Sequence, residues 1–289
     1  MSPTDFPYRL AAIDIDDTLV GPDKRVGAAN RAAVQQLRGL GCRVVLASGR
    51  RHDNMLPFHR ELGLEDYVVS CQGAVARHGI TGEVLHEALL PVADAGEVVA
   101  EGHERGLTVM YWSADGVFAR QRSRWIDKYS ADCQGDPVTL LDVESLAHRG
   151  APAEKIVWGA DPQVIAAIEP EMRRRYDGRM LVMATDECFL EFTSPAATKA
   201  AGVAAVAERF GIDRRHVLAF GDGNNDVSVL KWAGMGVAMS HGRPAARAAA
   251  DRVAPDGDPE SGLARAIARI VADAGAFEST EEEMLDAAA

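Results

Sequence analysis

Four short apolar runs, RLAAIDID (9–16), CRVVLAS (42–48), YVVSC (67–71) and HVLAFGD (216–222), each end in small or polar residues and give way to helical patterning. Strands this continuously apolar bury both faces, which a parallel sheet covered by helices on each side provides. Between the first two runs, Ala29, Ala33, Val34, Leu37 and Leu40 recur at helical spacing, with Gly39 and Gly41 placed to end the helix. Strand, helix and strand in that order make a right-handed βαβ unit. GVAM (236–239) and RVA (252–254) extend the same sheet, and 260–272 reads as a closing helix. The predicted core is α/β, a doubly wound parallel sheet.

The middle of the chain is patterned differently. LTVMYW (107–112) is followed by VFAR (117–120), and MLVMA (180–184) by CFLEF (188–192), with ADG (114–116) and TDE (185–187) between them. Adjacent strand pairs of this kind form antiparallel hairpins, while 92–105 and 162–176 read as helices on one face. The expected organisation is an α/β core from residues 1–79 and 191–289, with an α+β cap inserted at 80–190. The tail after Gly275, carrying Glu281, Glu282 and Glu283, reads as frayed or a short solvated helix.

Bulk properties narrow the function. A net charge of -12 disfavours nucleic acid and anionic membrane as partners, since both need a basic surface. Cys42, Cys71, Cys133 and Cys188 are far apart, so neither a disulfide framework nor a zinc ribbon is expected, and no histidine pair has ligand spacing. The N-terminus lacks a leader pattern and no segment is apolar for the roughly 18 to 20 residues of a membrane span. A soluble cytoplasmic protein is the expectation, with its oligomeric state left open.

Ligands of open α/β sheets bind outside the carboxyl ends of the strands, and here those ends are crowded with polar groups. Asp14, Asp16, Asp17 and Thr18 follow the first strand, Ser48 and Gly49 the second, and Asp222, Gly223, Asn224, Asn225 and Asp226 the fourth. Converging carboxylates repel one another unless they share a cation, and an oxygen-rich set with room for water and phosphate suits magnesium better than calcium. Ser48 and Gly49 at a strand-to-helix junction offer a hydroxyl and backbone N–H groups to an anion, and Lys199 adds a positive charge. Taken alone, Ser48 reads equally as a helix cap and Lys199 as a surface lysine. Together with the acidic clusters they make a phosphoryl-transfer constellation.

These residues resemble the haloacid dehalogenase-like hydrolases. The D-x-D-x-T motif is met by Asp14, Asp16 and Thr18, the second and third motifs by Ser48 and Lys199, and G-D-x-x-N-D by Gly221, Asp222, Asn225 and Asp226. The insert between the second and third motifs looks like the large cap of the Cof-like phosphatase branch. The resemblance implies a Mg2+-dependent phosphatase acting on a small phosphorylated metabolite such as a sugar phosphate. It makes Asp14 the nucleophile and Asp16 the general acid and base. It places the metal on the Asp14 side chain, the Asp16 main-chain carbonyl and Asp222, with Asp226 orienting metal-bound water. Phosphate falls to Ser48, Gly49, Lys199 and Asn225.

Asp17 stands where this branch often has glycine, and Gln72 where asparagine is usual. Ser240 and His241 replace a common Asn-Ala, which brings His241 near the site. In the cap, Trp112, Arg120, Arg122, Arg124 and Trp158 are candidates for a roof over the leaving group. Sugar phosphates, nucleotides, pyridoxal phosphate and flavin mononucleotide are all compatible leaving-group classes. A phosphomutase uses the same Asp14 chemistry and is distinguished by its need for an activating bisphosphate. A non-catalytic phospholigand-binding protein requires the loss of a chemical residue, and none is lost.

Overall fold

The computed structural model describes residues 6–286, with side-chain surroundings through residue 275. The chain opens with β1 (Leu10–Ile13), α1 (Ala28–Gly39), β2 (Arg43–Ala47), α2 (His52–Glu61) and β3 (Tyr67–Ser70), then a hairpin of β4 (Val75–His78) and β5 (Val84–Glu87). An inserted α+β unit follows: α3 (Val92–Glu104), β6 (Thr108–Ser113), β7 (Gly116–Ala119), α4 (Arg124–Asp132), β8 (Val138–Leu140), α5 (Val143–His148), β9 (Lys155–Gly159), α6 (Pro162–Arg175), β10 (Leu181–Asp186) and β11 (Phe189–Thr193). The chain then returns through α7 (Lys199–Arg209), β12 (Val217–Gly221), α8 (Val227–Trp232), β13 (Met235–Ala238), α9 (Pro244–Ala249), β14 (Arg252–Val253) and α10 (Gly262–Asp286).

The first sheet runs β14-β13-β12-β1-β2-β3-β4-β5, and the second β10-β11-β9-β6-β7-β8. All pairs from β14 to β3 are parallel. Alternation along β1 sends Ala11 and Ile13 to one apolar layer with Val34, Leu37 and Ile267, and Leu10 and Ala12 to another with Val203 and Val206. Both faces are therefore buried, which is why these strands read as uninterrupted apolar runs. In register, Ile13 lies level with Leu46 on one side and Phe220 on the other. The residues that follow in sequence emerge at one edge.

Most expected elements appear within a residue or two of their predicted limits. The β4–β5 hairpin extends the core sheet antiparallel, and its half-exposed, polar strands carry little apolar signal. The expected cap limits, 80 and 190, differ from the partition of the sheets, since Val84–Glu87 belongs to the first sheet and Phe189–Thr193 to the second. The closing helix continues to Asp286, and Glu281, Glu282 and Glu283 lie outside the residues whose side chains are described. Among the described residues no helix is long and apolar enough to cross a membrane. All four cysteines are free thiols, and burial raises Cys42 to about 12.

Candidate active site

Asp14 leaves β1 with its N–H donating to Phe220 O at 3.0 Å, so the strand pairing itself delivers its carboxylate beside β12. The chain then turns tightly through Asp17, whose φ of 57° is left-handed. Aspartate adopts that region more readily than most residues, which explains its standing in a position that favours glycine. The turn sends Thr18 Oγ1 to Asp222 Oδ1 at 3.0 Å, tying the first and fourth motifs together. Asp226, almost fully buried, accepts from the N–H groups of Asp222 and Gly223 at 3.0 and 2.9 Å with Oδ2. Its other oxygen, Oδ1, accepts from Lys199 Nζ at 2.6 Å, and the same ammonium donates to Asp14 Oδ1 at 2.6 Å. Thr198 caps α7 through Ala201 N at 3.1 Å and so sets Lys199 at the helix start.

Burial pushes Asp14 well above the ordinary carboxylate range, and Asp226 and Asp222 add to the rise while Lys199 opposes it. Asp222 is raised to about 6, first by burial and then by Asp226, against the hydrogen bond from Thr18. Lys199 is held protonated, because Asp14 and Asp226 outweigh its burial. One ammonium thus serves a cluster of carboxylates. Ligand oxygens of Asp14, Asp222 and Asp226 lie within 4.8 Å of one another. Hard oxygen donors this close, with negative charge left over, fit a divalent cation such as Mg2+.

The Asp16 carboxylate points elsewhere. Arg50 grips it with Nε and Nη2 at 2.7 and 2.8 Å, and Lys24 Nζ adds a third bond at 2.8 Å. Burial alone raises its pKa, but Arg50 and Lys24 overcome that and bring it down to about 2. Arg50 also donates to Asn54 Oδ1 at 2.6 Å and to Asp132 O at 3.3 Å in the inserted unit.

A cavity of about 380 Å³ opens between the two sheets, lined on the core side by Asp14, Asp16, Ser48, Gly49, Asp222 and Asn225. Six of the eight residues expected at the site therefore face one space. Lys199 and Asp226 are not in its lining and reach it through Asp14 and the Asp222 loop. Ser48 Oγ accepts from Arg50 N at 3.2 Å, and the Asn225 amide donates to Gln72 Oε1 at 2.9 Å.

Of the expected roof, Trp112 alone lines this cavity. Trp158 is buried in the apolar core of the inserted unit, its indole N–H donating to Val98 O at 3.2 Å. Arg120, Arg122 and Arg124 are exposed, and Arg124 pairs with Asp161. Alternate arginines mark the solvent face here. His241 contacts Asp17 O at 2.7 Å and buttresses the first turn outside the lining. Lys155 and Glu191 line the cavity without having been singled out from the sequence. Their signal is a charge inside an otherwise apolar strand, KIVWG or FLEF, which is costly unless the two meet.

The haloacid dehalogenase-like hydrolase family model matches residues 11–267. A putative phosphatase, YxeH, of Bacillus subtilis is 26% identical, with 91% of this chain and 98% of the relative covered. An HMP-PP phosphatase of Serratia proteamaculans is 28% identical over 82% of this chain and 85% of its own length. The crystal structure of a haloacid dehalogenase-like hydrolase from Bacteroides thetaiotaomicron superposes with a TM-score of 0.80 at 27% identity, covering 91% of this chain and 99% of that one. With the family model spanning both sheets, the chain belongs to the haloacid dehalogenase-like hydrolases.

Proposed function

We propose that the chain is a Mg2+-dependent phosphatase that passes the phosphoryl group of a small metabolite through Asp14. The observation that carries this reading is the position of Asp14: buried, in contact with a protonated Lys199, within ligand distance of Asp222 and Asp226, and facing the cavity. An Asp14 carboxylate oxygen forms a bond to phosphorus as the bond to the leaving oxygen breaks, and Asp16 gives that oxygen its proton. Water then attacks phosphorus, Asp16 takes back a proton, and the Asp14–phosphorus bond breaks to free inorganic phosphate. Ser48, the Gly49 backbone and Asn225 hold the phosphoryl oxygens, and Lys199 aims the Asp14 carboxylate and favours its ionised form against burial. Asp14, Asp222 and the Asp16 carbonyl would hold a Mg2+ whose bound water Asp226 would orient, and the ion would supply charge neutralisation for the phosphoryl group. The inserted unit covers the cavity and selects the leaving group with Met110, Trp112, Lys128 and Phe189. Phosphate release measured across phosphorylated metabolites, with and without MgCl2, tests the reading. Magnesium-dependent release from at least one class supports it, and no release from any of them overturns it.

Asp16 is held ionised by Arg50 and Lys24, so it leaves that clamp and takes up a proton from water before it protonates a leaving group. Asp16→Asn is expected to slow hydrolysis of an alkyl phosphate by roughly 10²–10⁴. p-Nitrophenyl phosphate, whose leaving group departs without a proton, loses much less in its first step. Equal losses for both substrates in single-turnover measurements contradict the acid role.

The raised pKa values of Asp14 and Asp222 set a pH dependence. A carboxyl raised by folding contributes stability below its unfolded value, near 4, and loses it as pH rises through about 6 for Asp222. A dication takes the place of those protons. At pH 5 the proton on Asp222 competes and weakens Mg2+ binding about tenfold relative to pH 7.5. A fixed, subsaturating MgCl2 concentration should therefore raise Tm more at pH 7.5 than at pH 5. The same increment at both values contradicts it.

A further inference from the structure

Lys155 of β9 and Glu191 of β11 belong to the second sheet, yet their polar ends are bonded into the first. Lys155 Nζ donates to Gly49 O at 3.1 Å and to Glu191 Oε1 at 2.8 Å, with the Trp112 ring 3.7 Å beneath it. Glu191 Oε2 accepts from Gln72 Nε2 at 3.1 Å, and Gln72 Oε1 accepts from Asn225 Nδ2 at 2.9 Å. Gly49 packs against the Gln72 amide so closely that a Cβ there would collide with it. Gly49, Lys155, Glu191 and Gln72 thus form a closed ring, and Asn225 hangs from it.

Two features set this ring apart from ordinary packing. Gln72 has a φ of 63°, left-handed backbone that a glutamine adopts at a cost and that the surrounding structure must enforce. Lys155 and Glu191 are both buried, and a buried ion pair is commonly no more stabilising than apolar residues of its size. Both amide ends of Gln72 are used, one toward a phosphate-holding side chain of the core and one toward the inserted unit. An asparagine, one methylene shorter, cannot span the same two partners.

We infer that Gln72 is a positioning residue that couples the seating of the inserted unit to the phosphate-holding groups Asn225 and Gly49. The inference rests on the phosphatase reading above. Phosphate that orders Asn225 and Gly49 tightens the ring and with it β9 and β11, and by reciprocity a seated unit strengthens phosphate binding.

Hydrogen exchange with inorganic phosphate and MgCl2 as the probe tests it, in the full chain and in Gln72→Gly, where glycine suits the left-handed backbone. In the wild type, phosphate slows exchange in Lys155–Gly159 and Phe189–Thr193; in Gln72→Gly that slowing disappears and the inhibition constant of phosphate rises about tenfold. Should the glycine variant fail to fold, Gln72→Asn, which also accepts the backbone, is expected to lose the same strand protection. Protection of both strands equal to the wild type in the folded variant overturns the coupling. Absence of any phosphate binding by the wild type overturns the phosphatase reading and this inference with it.

Discussion

Asp14→Asn is expected to lower steady-state phosphate release by three orders of magnitude or more while the protein remains folded. Removing a covalent nucleophile alone costs roughly 10⁴–10⁶ in comparable enzymes, because the amide oxygen of asparagine cannot form the intermediate. Folding tolerates the change since asparagine is isosteric and Lys199 keeps Asp226 as its partner. Burial already opposes ionisation of Asp14, so a neutral side chain there relieves one charge of a crowded cluster. A variant that releases phosphate at near wild-type rates removes Asp14 from the chemistry.

Lys199→Met is expected to be the more damaging substitution for the fold. Its ammonium lies between two carboxylates that are themselves buried, and removing one member of such a group leaves uncompensated charge at a cost of about 3–5 kcal/mol. Part of that cost is avoided when Asp14, already raised by burial, takes up a proton, so the variant should be less destabilised at pH 5 than at pH 8. MgCl2 should restore some of the lost Tm at pH 8, since a dication replaces the missing positive charge. Thermal denaturation at the two pH values, with and without MgCl2, measures all three effects. An unchanged Tm at pH 8 means that Lys199 does not hold the cluster together.

How much of this was legible in the sequence depends on the range of the interaction. Parallel strands buried on both faces produce continuous apolar runs, so β1, β2, β3 and β12 were plain, and one register then carries Asp14, Ser48 and Asp222 to a common edge. The chemistry lies next to those strands in sequence, which is why six expected residues line one cavity. Contacts between the two sheets follow a different logic. That Arg50 and Lys24 clamp Asp16, or that Lys155 meets Glu191, depends on side chains brought together from distant segments, and no local pattern encodes it. Tryptophan misleads for a related reason: Trp112 and Trp158 sit on neighbouring strands, but one faces the cavity and the other the helices, and their pairing sets which. The short hairpin strands β4 and β5 carry too few apolar residues to announce themselves, so they were not foreseen.

Mixing the enzyme with a phosphorylated substrate, quenching within the first turnover and reducing with borohydride probes the claim on which the account turns. An acyl phosphate on Asp14 is reduced to homoserine at that position, and peptide sequencing should find it there in proportion to the phosphate retained on the protein. Full phosphate release with an unmodified aspartate at position 14 at every quench time would contradict a phosphoryl group carried by Asp14.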